Sequence, residues 1–242
     1  TGTIAGGANT LDIINSATVA NAVTINGGTI ANSTGVGTLS TGGVTLGGNS
    51  NLSSAGTGLT ISAVITDGAV SFAINKLGGS TVTLSGANTY DGTTTINAGT
   101  LAISGSGTAG TGTIAVGANT LNINNDATLA NAVTITTGTI GNTAGAGTLA
   151  TGGVTLNGAA NLSSTTGTGL TVSAVIAQTA GTDTVTKTGA GTVTLSGANT
   201  YTGGTTVSAG TLKLGAGGDG TNTPLGTAVS GTSVTSGATL DL

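Results

Sequence analysis

Seven carboxylates and three ammonium groups carry all the side-chain charge of this 242-residue chain. The carboxylates are Asp12, Asp67, Asp91, Asp126, Asp183, Asp219 and Asp241, set against Lys76, Lys187 and Lys213. Paired carboxylates could act as acid and base on a glycosidic bond, or could gather around a hard cation. Their positions argue against both. An internal second copy replaces Asp12 by Asn122 and Asp91 by Thr202, and puts Asp126 where the first copy has Ser16. Carboxylates that wander between copies read as solvated surface charges. Asp219, inside Gly217-Gly218-Asp219-Gly220, has neither the spacing nor the repetition of a nonapeptide calcium roll, so it reads as a loop residue. The chain has no His and no Cys, and neither Glu nor Arg occurs. Catalytic triads and zinc sites therefore lack their parts. The expectation is no catalytic residue, no metal, no cofactor and no enzyme.

Two further side-chain types merit weighing. Tyr90 and Tyr201 stand at matching positions, each read as a ring over a corner with its hydroxyl in water. In that position they would also serve as exposed aromatic platforms for a sugar or a partner. Threonines in Thr81-Val82-Thr83, Thr93-Thr94-Thr95 and Thr192-Val193-Thr194 are expected on the outer faces of strands. Full T-x-T rows would suit an ice surface. Val23-Thr24-Ile25 and Val44-Thr45-Leu46 carry one Thr each, which ranks ice binding third among the functional readings.

The elements that must position these residues are strands. In 185–214 apolar residues alternate with Thr or Ser, and each run ends at Gly or Asn. Period two with such corners predicts strands with one buried face. Residues 1–30 return as 111–140, and 81–90 return as 192–201, so the chain is two long copies, 1–110 and 111–214, and a tail, 215–242. Within each copy, apolar triplets recur roughly every 18–21 residues, a period that suits one turn of a solenoid. Gly numbers 47 and aromatics make up 1% of the chain. A thin aliphatic interior suits such a composition better than a compact globule does. The prediction is an all-β, right-handed, three-sided parallel β-helix of roughly 11–12 coils in one continuous solenoid. Asn9, Asn21, Asn32, Asn51, Asn88, Asn119, Asn131, Asn142, Asn161 and Asn199 are expected at corners, either in water or stacked in ladders.

The T-K-T-G-x-G-T-x-T-L-S-G-A-N-T-Y-x-G-x-T-x-x-x-A-G-T-L run at 186–212, with a weaker copy from Asn75-Lys76, resembles the passenger-associated transport repeat, also called the autotransporter-associated β-strand repeat. The resemblance implies a secreted bacterial β-helix, extracellular or on the cell surface, and says little of activity.

A formal charge of −4 lacks the cationic stripe that nucleic acid requires. No apolar run reaches the roughly 18 residues of a membrane helix. Expected partners are further repeats of a longer chain or other copies, stacked end to end, because 2–13 and 231–242 share one phase of the repeat. The leading functional expectation is a structural segment of a surface fibre or filament. The alternative is an adhesin that binds host cells or glycans through a tail loop, with Asp219 and Pro224 as candidate contacts.

Overall fold

A computed structural model describes residues 2–165, 168–215, 224–227 and 230–242. Among these residues there is no helix, and every recorded strand pair is parallel. The fold is a parallel β-solenoid of about 10 turns, slightly fewer than the spacing of the triplets suggests. The turns are longer than that spacing implies. Val23 lies over Ile4, 19 residues back, but Asn75 lies over Asn51, 24 back.

The chain divides into two compact units, 1–115 and 116–242. In the first, one stack runs through Ile4–Gly7, Val23–Asn26, Val44–Gly48 and Ile65–Thr66. A second runs from Thr10–Asp12 through Thr29–Asn32, Ser50–Ser54 and Ile74–Leu77 to Thr94–Ile96. The third joins Ala17–Val19, Val36–Leu39, Gly58–Ile61, Thr81–Leu84 and Thr100–Ser104. The second unit repeats this plan, with long stacks through Ala160–Ser164 and Val185–Thr188 and through Leu170–Val172 and Thr192–Leu195.

Register makes the core. Leu39, Ile61, Leu84 and Ile103 lie over one another in successive turns, all essentially without exposure. Each such side chain contributes about 1.5–3 kcal/mol by leaving water. A file of branched aliphatics thus does what large aromatics do in a globule.

The corners follow the residues that tolerate a left-handed backbone. Asn15 and Ser16 have φ of 54° and 64°, and Asn125 and Asp126 have 52° and 65°. Asn15, Asn125 and Asp126 are types that accept this conformation at modest cost, and Ser16 adopts it without that advantage.

Candidate functional site

Five chemistry-bearing side chains point inward, Asp67, Lys76 and Tyr90 in the first unit and Lys187 and Tyr201 in the second, whereas Asp12, Asp91, Asp126, Lys213 and Asp241 are exposed. Lys76 faces into an apolar file, directly between Leu52 and Ile96. Parity carries it there, because Lys76 is two residues from the inward Ile74. Its stem fills the place of an aliphatic residue, and its ammonium reaches out of the file to main-chain oxygens. Nζ donates to the carbonyls of Leu77 (2.9 Å), Gly78 (2.8 Å) and Ala98 (2.8 Å). Lys187 lies between Leu162 and Val207 and donates to Thr188 (2.8 Å), Gly189 (2.7 Å) and Ala209 (2.9 Å). Both residues are 0% exposed. Burial pulls each ammonium down to about 8. One donor thus satisfies three carbonyls and ties one turn to the next, and the sequence reading assigned neither lysine this part.

Tyr90 and Tyr201 are not exposed platforms. Both rings are fully buried, and their hydroxyls pair with Thr94 Oγ1 (2.8 Å) and Thr205 Oγ1 (2.6 Å) rather than with water. Thr94, expected on an outer face, is likewise buried. Burial holds the Tyr90 phenol well above its ordinary range. The Thr94 bond pulls it back and the Asp67 charge adds to the rise. Burial pushes Tyr201 up to about 12, opposed by its bond to Thr205.

A glycine closes each ring in. Gly110, at φ +66°, and Gly226, at φ +77°, lie against the tyrosines, so that an added Cβ would stand 2.9 Å and 3.0 Å from ring carbons Cδ2 and Cε2. Thr111 N and Thr227 N then bond the carbonyls of Tyr90 (2.9 Å) and Tyr201 (3.0 Å).

Asparagine pins each corner from the other side. Asn88 accepts from Ile65 N (2.8 Å) and donates to Thr108 O (2.6 Å). Asn199 accepts from Ile176 N (2.7 Å) and donates to Pro224 O (2.6 Å). Pro224 is thus buried and supplies a carbonyl inside the unit, which corrects its reading as a surface contact. Asp219, the other candidate contact, lies outside the described residues. Asn32 and Asn142 are also buried, each amide donating to a carbonyl 19 residues back. A side-chain ladder does form, from Asn97 to Asn75 to Asn51 and on to Thr29 Oγ1, at 3.5, 3.2 and 3.3 Å. Two of its three asparagines were not among those expected.

Nor is every carboxylate a solvated charge. Asp67 is buried, and its Oδ2 accepts from Phe72 N (3.1 Å) and Asp91 N (3.0 Å). An open depression of about 240 Å³ along Thr205–Val207 and Thr232–Val234 offers only hydroxyls and main chain, and Ser233 Oγ donates to Thr206 Oγ1 at 3.2 Å. Among the described residues no three carboxylates come together to hold a metal ion.

Residues 74–103 and 185–214 both match the family model of the passenger-associated-transport-repeat. Each match includes the lysine, the tyrosine and its threonine partner, and leaves out the glycine that covers the ring. No curated protein and no solved structure matches the chain.

Proposed function

We propose that this chain, in which two passenger-associated transport repeats form corners of a parallel β-solenoid, is a scaffolding segment of an extracellular fibre on a bacterial surface. A passenger-type β-helix is what the repeat implies. The observation that carries the scaffold reading is the direction of the reactive side chains. Lys76, Lys187, Tyr90, Tyr201 and Asp67 all turn inward to satisfy main-chain groups or to fill the core. A binding or catalytic surface would present such groups to a ligand; here they hold turns together. Export to the cell surface or beyond is what the repeat implies, and it supports this reading. Further repeats of a longer chain, or other copies stacked end to end, are the partners that continued strand pairing would recruit.

The test is electron microscopy of the natural protein on its cells, with a variant lacking one unit. The scaffold reading expects filaments that shorten in that variant while attachment to host cells and glycans stays unchanged. Dispersed short particles, or attachment lost at constant filament length, would overturn it, and the latter result would favour the adhesin.

A further inference from the structure

The sequence contains two Asn-Gly dipeptides, Asn26-Gly27 and Asn157-Gly158. This pairing is the one most prone to cyclise, because glycine puts no side chain in the way of its own nitrogen. The solenoid holds the two very differently. Both Asn26 and Gly27 are exposed, at the end of Val23–Asn26, where pairing with Val44–Gly48 slips register. Among the described residues, no hydrogen bond restrains the Asn26 carboxamide. The next turn faces it with Gly47 and Gly48, and a Cβ on Gly48 would stand 2.9 Å from Asn26 Oδ1 and 3.0 Å from Gly27 N. The missing side chain leaves both reacting groups open.

Asn157 is exposed as well, but it is tethered. Its main-chain N donates to Ile135 O (2.8 Å), and its Oδ1 accepts from Thr179 Oγ1 of the following turn (2.9 Å). Cyclisation must swing the carboxamide onto the next nitrogen, so it has to break that bond.

We propose that Asn26-Gly27 is a self-modification site, at which the folded chain converts a neutral carboxamide into a carboxylate without an enzyme. Solvent removes the Gly27 amide proton, and the nitrogen attacks Asn26 Cγ. The bond from Cγ to the side-chain nitrogen breaks, and that nitrogen leaves as ammonia. The resulting succinimide then takes up water. Addition at Cγ opens it to aspartate, and addition at the main-chain carbonyl opens it to isoaspartate, which lengthens the backbone by one carbon. Neither an oxidant nor a reductant takes part. The product is one added negative charge at an outer corner of a chain whose formal charge is −4. It falls where a register slip already interrupts the ladder.

The experiment ages the folded chain in mildly alkaline buffer and follows both sites by peptide mass spectrometry, with isoaspartate scored separately. Asn26 is expected to convert about five- to tenfold faster than Asn157, the rate equivalent of one restraining hydrogen bond. In guanidinium the two rates should converge, since both sites then have the same local sequence chemistry. Thr179→Val should raise the rate at Asn157 alone, and Asn26→Gln should remove the product at 26. Equal rates in the folded chain, a faster Asn157, or a difference that survives denaturation would each overturn the proposal.

Discussion

The two tyrosine corners perform the same task with different lengths of chain. In the first unit, Gly110 returns to the Tyr90 ring 20 residues on, and Thr111 bonds the tyrosine carbonyl. In the second, Gly226 returns to Tyr201 after 25 residues, and Thr227 makes the equivalent bond. The asparagine pin likewise trades Thr108 O for Pro224 O at the same 2.6 Å. The supporting acceptor differs too. Asp67 stands in one unit, while Gln178 in the other accepts from Thr202 N (2.8 Å) and donates to Thr202 Oγ1 (2.9 Å). What stays constant is the enclosed ring, the glycine over it and the lysine under three carbonyls. The path between these points varies freely, because loop length adds only slowly to the entropy of closure.

The sharpest way to break the equivalence is to empty either corner. Tyr90→Ala or Tyr201→Ala should each cost about 3–5 kcal/mol, measured by denaturant unfolding. A markedly smaller loss at Tyr201 would show that the longer turn relaxes into the cavity. Gly110→Ala and Gly226→Ala should cost about 1–3 kcal/mol, through backbone strain and the clash with the tyrosine's main-chain carbonyl oxygen and ring. Gly79→Ala, whose Cβ meets nothing within 4 Å, is the control and should change stability by no more than about 0.5 kcal/mol.

The lysines allow a comparison by pH. In the folded chain each ammonium titrates near 8, below its ordinary 10.5. Between those values the unfolded chain holds the protons and the folded chain does not, so stability should rise with pH from about 8. The buried tyrosines act in the opposite sense. Their phenols ionise in the unfolded chain near 10 and resist ionisation when folded, so their contribution falls away above that pH. Thermal unfolding across this range should therefore rise and then turn over near pH 10. Removing one lysine by Lys76→Met or Lys187→Met should halve the rising limb, and the double variant should flatten it. A limb that survives in the double variant would place its origin elsewhere.

A small effect is also expected when the exchanged acceptor is swapped for its counterpart. Asp67→Gln should stay within about 1 kcal/mol of the parent, because Gln178 in the other unit accepts the equivalent N–H, that of Thr202, whereas Asp67→Ala leaves two amide N–H groups without their acceptor and should cost about 1–3 kcal/mol. Circular dichroism melts of both variants would check this ordering.

The stacking itself was plain in the residues. Alternation that ends at Gly or Asn, and copies that return in phase, leave few arrangements other than wound parallel strands. The inward lysines were legible in principle, since Lys76 shares parity with Ile74 and Lys187 with Val185; the expectation that charge lies outside hid them. The burial of the tyrosines was not legible. It depends on Gly110 and Gly226, which lie far along the chain at unequal distances and outside the repeat that contains the rings. Asp67 was misjudged for a similar reason, as one of the amides it accepts, Asp91 N, is contributed from the next turn.

The amide ladder of the first unit has a consequence of its own. Asn97, Asn75 and Asn51 each give a proton to the residue one level earlier, all three in the same sense. Such a column has a front and a back. A spliced-in level must both take a proton from above and pass one below, which Asn can do and Val cannot. Anyone who lengthens this part of the molecule inherits that one-way grammar, and a level that cannot speak it will leave the amide above it with nothing to hold.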